Sequence, residues 1–247
     1  MLILFLGISE AKASIALLPD IASIGQNDHV NWLHFGPPGT QISNSSPSIK
    51  SFGGLDVSVA MPGLTQFGVY TQSALSEQPL YFPAYGGDFS PGDSVLATGY
   101  GDGTGPLTVT FGSHVSSIGF HVNSLFLGPF TVQVQAFDSG GANLRQVFAS
   151  GSTTSNADGS ALFVGLVSTA ENIASISVFL TEKPYNGLAQ FMAINGIEFY
   201  SSESMPGSYP DPAIVEYGGQ HAIPEPGVWA LLLASMVGFN ISFRRRQ

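Results

Sequence analysis

Apolar and small polar residues alternate along several stretches in the second half of the chain. In one of them, Leu107, Val109 and Phe111 are separated by two threonines. Successive side chains of a β-strand point to opposite faces of a sheet, so this pattern predicts a strand with one buried face. The same alternation predicts strands over 130–136 and 174–180. Shorter apolar runs predict further strands over 117–122, 144–149, 162–167 and 191–199.

Residues typical of turns separate these runs. The sequence Asp138-Ser-Gly-Gly-Ala142 stands between two predicted strands and is typical of a β-hairpin loop. Short strands that recur about every ten residues favour an antiparallel β-sandwich or jelly roll. The first part of the body is less regular, with candidate strands over 31–35, 55–61 and 67–71. No break in composition divides the body, and we predict one all-β domain over 14–200.

Composition narrows the classes of function. The chain has 247 residues, of which 44% are hydrophobic and 18 are Phe, too much apolar material for a disordered chain. Its net charge is -10, and the segment 14–223 has three basic and fifteen acidic residues. Such a body repels phosphates, which argues against nucleic-acid binding. The absence of cysteine excludes disulfides, cysteine-based zinc sites and thiol catalysis.

The first residues predict export. An apolar run from Leu2 to Ile8 precedes the sequence Ala11-Lys-Ala13, which has the small-residue pattern of a signal-peptidase site. No basic residue precedes the run, so we interpret 1–13 as a secretory signal peptide that is truncated at its start.

The last residues predict a membrane anchor. The segment 227–243 is uncharged and apolar, and it is just long enough to cross a bilayer as a helix over 228–243. Trp229 is placed where an aromatic ring anchors at the membrane interface. Arg244, Arg245 and Arg246 follow at once and keep that end in the cytoplasm, which places the body outside.

A stiff segment lies just before this span. Pro224 and Pro226 bracket Glu225, and proline favours extended backbone at itself and at the residue before it. An extended peptide suits the cleft of a processing enzyme. The preceding segment 201–222 is rich in Pro and Ser without alternation, and we predict a stalk there.

The tail 223–247 resembles the PEP-CTERM sorting signal in its Pro-Glu-Pro motif, its Trp-Ala-Leu-Leu-Leu span and its terminal arginines. The resemblance implies recognition by an exosortase and cleavage near the motif. It also implies display on, or release from, the surface of a Gram-negative bacterium that makes exopolysaccharide. The alternating strands of the body are similar to the β-sandwich common in this family.

Candidate chemistry in the body is sparse, because no catalytic motif is present. Asp88, Asp93 and Asp102 lie in or near Gly-rich loops, where carboxylates and loop carbonyls suit calcium; the alternative is an acidic surface loop. Exposed aromatic residues could stack on sugars, or they could be packing residues. The candidates for this role are Trp32, Tyr70, Tyr81 and Tyr85.

Two functions follow as hypotheses. The first is a non-enzymatic surface or matrix protein that is sorted by an exosortase and interacts with exopolysaccharide. The second is an exported polysaccharide hydrolase, because a pair of catalytic carboxylates leaves no short motif. Facing carboxylates in a cleft would favour the enzyme, and a flat or aromatic face would favour binding.

Overall fold

The computed structural model describes residues 14–43, 47–61, 66–72, 84–85, 87–98, 106–124, 126–154, 156–181 and 192–205. These residues form two β-sheets, and they contain two short 3-10 helices but no α-helix. Every strand pair is antiparallel except one. The predicted all-β class is confirmed.

The larger sheet has ten strands. They are β1 (Ile15–Leu18), β2 (Asp28–Val30), β3 (Gln41–Ser43), β6 (Gln66–Gln72), β7 (Ala84–Tyr85), β8 (Ser94–Thr98), β10 (Ser117–Ser124), β13 (Leu162–Ser168), β15 (Met192–Asn195) and β16 (Ile197–Tyr200). The main path through it runs β1-β13-β10-β15-β8-β6-β3, and β16 lies between β10 and β2. The 3-10 helices are η1 (Ile21–Ile24) and η2 (Trp32–Phe35).

The smaller sheet has six strands in the order β12-β11-β14-β9-β5-β4. They are β4 (Ser48–Lys50), β5 (Asp56–Ala60), β9 (Leu107–Val115), β11 (Gly128–Phe137), β12 (Asn143–Thr153) and β14 (Ile173–Leu180). The strands predicted over 107–111, 130–136 and 174–180 are confirmed here. The pairing register of β14 shifts between Ile173 and Ser175. Ile173 is therefore buried in the core, although the alternation of Ile176, Val178 and Leu180 would place it on the outward face.

The two sheets pack face to face around one apolar core. Val109, Val132 and Val178 from the smaller sheet belong to the same fully buried cluster as Leu166 and Ile194 from the larger sheet. Each of these strands sends alternate residues inward, so the core is the shared inner layer of a β-sandwich. The opposite faces of both sheets point outward.

Two predicted strands have a different structure. Residues 32–35 form η2, because the Asn31 side chain accepts a hydrogen bond from the Leu33 N–H at 3.0 Å and caps the turn. The run 191–199 is divided at Gly196 into β15 and β16. A Cβ at Gly196 would lie 2.6 Å from the Val30 carbonyl oxygen, so the close approach of β2 requires glycine there.

This division creates a fork in the larger sheet. β15 pairs with β8, whereas β16 pairs with β2, so the partner changes at Gly196. The Trp32 indole is completely buried beside the fork, and its Nε1–H donates to the carbonyls of Ile194 at 3.1 Å and Asn195 at 2.8 Å.

The first residues assigned to the stalk are folded onto the domain. Ser201 and Ser204 are buried, and Ser204 Oγ donates to Asp28 Oδ2 at 2.6 Å. The Met205 N–H donates to the Gly53 carbonyl at 3.0 Å. The packed chain therefore extends to Met205, and residues 201–205 are not part of an extended stalk.

Candidate functional site

The outward face of the smaller sheet carries one ion pair, Lys50–Asp56, at its β4–β5 edge, and the rest of this face that the structure describes is uncharged from β5 to β12. We call this uncharged part the neutral face. It consists of Ser58, Ala60, Thr108, Thr110, Thr131, Gln133, Gln135, Gln146, Phe148, Ser150, Ser177 and Phe179. Each of these residues lies between inward-pointing residues of its strand, and none of them is charged.

An aromatic row crosses three strands of the neutral face. Gln133 on β11 is directly opposite Phe148 on β12 and Phe179 on β14. Phe148 is 57% exposed, whereas Gln133 between the two rings is only 9% exposed. Because neighbouring strands are 4.7–4.9 Å apart, the two phenylalanine Cα atoms are separated by about 10 Å. This spacing is comparable with the length of a disaccharide.

Polar side chains beside this row are held by cross-strand hydrogen bonds. Gln135 Nε2 donates to Gln146 Oε1 at 2.9 Å, and the hydroxyls of Thr131 and Ser150 are 3.1 Å apart. Such hydrogen bonds restrict the rotamers of these exposed side chains. The donors and acceptors that the bonds do not use stay available to a ligand.

A second surface feature lies at the fork of the larger sheet. We call it the fork groove. His29, Asn31, Asp93, Asn195 and Glu198 are among the residues that line this cavity of about 270 Å³. It lies between β2 and the turn that precedes β8, because β15 and β16 change partner at this point.

The position of His121 is fixed by Asn195. The His121 backbone N–H donates to Asn195 Oδ1 at 2.7 Å, and a backbone N–H can only donate. The Asn195 amide nitrogen therefore faces His121 Nδ1, at 3.2 Å, and this ring nitrogen accepts. The imidazole is neutral with its proton on Nε2, and burial lowers the pKa of His121 against the opposing attraction of Asp93.

The fork groove holds two carboxyl groups with perturbed acidity. Burial raises the pKa of Glu198, and nearby His29 only partly offsets this shift. Burial also raises the pKa of Asp93, although the hydrogen bond from the Ser90 N–H and the attraction of nearby His121 lower it in part. Among the described residues, no hydrogen-bond partner meets Glu198 Oε2. These are the environments in which enzymes tune acids and bases.

A phenylalanine lies beside the groove on the same outer face. A Cβ at Gly165 would lie 2.7 Å from the Phe163 ring, and a Cβ at Gly119 would lie 2.9 Å from it. The two glycines therefore allow Phe163 to lie close over the strand backbones. The ring of His121 meets Phe163 edge-on, with centroids 5.4 Å apart.

The predicted calcium ligands have separate roles in the part of the chain that the structure describes. Asp88 is fully buried, and its oxygens accept from the Thr154 N–H, the Thr154 hydroxyl and the Asn156 N–H at 2.7–3.0 Å. Burial raises the pKa of Asp88, but these hydrogen bonds outweigh it and the net shift is downward. Asp93 faces the fork groove instead, and Asp102 lies outside the described residues.

Within the described ranges, no cluster of three or more His, Asp or Glu side chains could hold a metal ion. A calcium site that includes Asp102 stays a prediction. Asp88 acts structurally, by tying its loop to the chain after β12.

The predicted stacking residues do not form a platform where they are described. Trp32 is in the core, and Tyr70 packs against a small apolar cluster under the loop before β8. Tyr81 and the side chain of Tyr85 lie outside the described residues. Among the described residues, the aromatic side chains of Phe148 and Tyr200 are exposed, and Phe179 is half-buried on the neutral face. The sequence pattern singles out none of them as a platform, although Phe179 occupies the polar half of an alternating strand.

The sorting and anchoring residues Pro224, Glu225, Pro226, Trp229, Arg244, Arg245 and Arg246 all lie outside the described residues. The described part of the chain contains no helix that is long and apolar enough to span a membrane. The predicted signal peptide over 1–13 and helix over 228–243 stay predictions.

The sequence matches no protein-family model. No curated protein is similar to it. Among solved structures, a DUF4465 family protein from Bacteroides caccae matches over 71% of this chain and 100% of its own, with 12% identity and a TM-score of 0.39. Two structures of family 29 carbohydrate-binding modules match over 59% and 61% of this chain and 98% and 97% of their own. Their identities are 15% and 14%, and both TM-scores are 0.26.

Proposed function

We propose that this protein is an exported, non-enzymatic polysaccharide-binding β-sandwich that uses the neutral face. The observation that carries the proposal is the row of Phe148, Gln133 and Phe179 on an uncharged surface. Phenyl rings stack on the apolar C–H faces of sugars, while the surrounding amides and hydroxyls match sugar hydroxyls. An open, uncharged sheet face suits an extended chain or the surface of a polymer such as exopolysaccharide.

The location of the protein is part of the same proposal. The resemblance of the tail to a PEP-CTERM signal supports export, temporary membrane anchoring and cleavage by an exosortase at Pro224-Glu225-Pro226. Mass spectrometry of the mature protein from producing cells tests this step. A C-terminus near the motif is expected, and an exported protein that still carries Arg244, Arg245 and Arg246 would contradict it.

Binding is tested by affinity electrophoresis of the protein in gels that contain neutral polysaccharides. Phe148→Ala and Phe179→Ala are each expected to weaken binding roughly tenfold, from the loss of about 1.4 kcal/mol of stacking and buried area. Phe163→Ala is the matched control, because it removes a ring from the other sheet. If only the control weakened retention, the neutral face would not be the binding surface.

The fork groove favours the second candidate, a polysaccharide hydrolase. Asp93 and Glu198 line one cavity, and burial raises the pKa of each, which is the direction found in the general acids of glycosidases. An assay for new reducing ends on the polysaccharides that the protein binds tests this activity. Release that is lost in Glu198→Gln and retained in Phe148→Ala would replace the binding-only proposal, and no release is expected.

A further inference from the structure

β12 is a long strand at the edge of the smaller sheet. It has eleven residues, Asn143–Thr153, and it pairs with β11 on one side. On its other side no described strand pairs with it. An edge of this length presents a row of backbone donors and acceptors that another strand could use.

β12 has little of the usual protection of an edge strand, apart from a register irregularity at Leu144 near its start. It contains no Pro and no Lys, and its one charged residue is Arg145, near one end. At the opposite edge, β4 has three residues, and Lys50 Nζ lies 2.7 Å from Asp56 Oδ1 of the neighbouring strand. Short length and charge discourage pairing at β4, whereas β12 has neither.

The sequence of β12 matches itself in antiparallel pairing. Phe148 is the central residue of the strand, and the pairing of β12 with β11 is regular from Arg145 to Thr153. A two-fold axis at Phe148 therefore brings residues 145–151 of each copy into register. Arg145 then faces Gly151, and no like charges oppose each other. Phe148 faces Phe148 of a second copy, so an aromatic pair forms at the axis from side chains that are 57% exposed in the single chain.

We propose that two copies of this chain pair through β12 about a two-fold axis at Phe148. Directly opposed residues of antiparallel strands point to the same face, so the neutral faces of both copies join into one surface. The aromatic row then doubles in length across the dimer. This inference depends on the edge geometry alone and does not require polysaccharide binding. The interface is closed, so growth stops at the dimer.

The association state is tested by sedimentation velocity of the full chain in detergent over a range of protein concentrations, with detergent mass subtracted. A reversible monomer–dimer equilibrium is expected for the native sequence. Phe148→Lys places two ammonium groups opposite each other at the axis. It is expected to weaken the dimerisation affinity at least about tenfold. Phe179→Lys adds the same charge on the same face, away from the edge, and is expected to leave the dimer intact.

Cross-linking tests the register, because the native chain contains no cysteine. Opposed residues of paired strands are close enough for a disulfide. Under mild oxidation, Phe148→Cys is expected to form a covalent dimer. Ser152→Cys is not, because position 152 is four residues from the axis and would be far from its counterpart in the second copy.

The proposal would be overturned if the native protein stayed monomeric at all concentrations or formed assemblies larger than a dimer. It would also be overturned if both lysine variants lost the dimer equally, or if cross-linking were faster at position 152 than at position 148. Polysaccharide binding by a strictly monomeric protein would overturn the dimer and leave the proposed function standing. A β12 dimer that binds no polysaccharide would support the dimer and overturn the proposed function.

Discussion

Asp28 is a buried carboxylate that joins three segments of the domain. Its Oδ2 accepts from the Ser51 and Ser204 hydroxyls, both at 2.6 Å, and its Oδ1 accepts from the Gly53 N–H at 2.6 Å. The side chain is 2% exposed. We expect its removal to be among the most destabilising single changes outside the apolar core.

The magnitude follows from what Asp28→Ala leaves behind. The two hydroxyls can turn toward other acceptors, but the Gly53 N–H stays in place and loses its partner. A buried hydrogen bond to a charged group is worth about 1.5–3 kcal/mol, and removing the buried charge returns part of that. We therefore expect a loss of about 3 kcal/mol in the free energy of unfolding. Asp28→Asn keeps one acceptor for Gly53, and we expect it to cost about 1–2 kcal/mol.

Equilibrium unfolding in urea measures this loss. With a slope of about 2 kcal/mol per molar urea, Asp28→Ala is expected to lower the midpoint by about 1.5 M. Asp56→Ala is the control, because it breaks an exposed ion pair worth at most about 1 kcal/mol. If Asp28→Ala shifted the midpoint no more than the control, the buried hydrogen bonds would not be what holds these segments.

Two other predictions concern the fork. Gly196→Ala is expected to lower the free energy of unfolding by about 1–3 kcal/mol, measured by urea titration, because its Cβ would lie 2.6 Å from the Val30 carbonyl oxygen. Gly140→Ala in the exposed hairpin is the control. Equal losses in the two variants would contradict the steric explanation. Burial lowers the pKa of His121, so the unfolded chain takes up a proton that the folded protein resists. His121 should therefore lower the free energy of unfolding as the pH falls below about 6.5. Urea unfolding midpoints measured at several pH values test this. His121→Gln should remove that contribution, and an unchanged pH slope would refute it.

The alternating pattern is enough to predict most strands of the smaller sheet, because each has one buried and one exposed face. Leu107, Val109 and Phe111 show this on β9. The larger sheet is harder to predict. On β10 both faces are covered, and Ser117, Asn123 and Ser124 are buried beside apolar residues, so alternation is weak.

The candidate sites could be predicted only in part, for two physical reasons. The fork depends on which strand lies beside Gly196, and that neighbour, β2, comes from the opposite end of the sequence. Asp93 and Glu198 line one groove for the same reason, so no local sequence motif indicates them. Phe179 is different, because an aromatic residue in the polar half of an alternating strand is visible in the sequence and indicates a ring on the outward face of the sheet.

The packing of the chain up to Met205 determines how the domain resists a pull. Tension on the chain beyond this residue reaches β16, which has neighbours on both sides, in β10 and β2. Before it can shear those two ladders at once, it must break the Ser204–Asp28 and Met205–Gly53 hydrogen bonds. The end of the domain therefore resists extension until these two hydrogen bonds have broken.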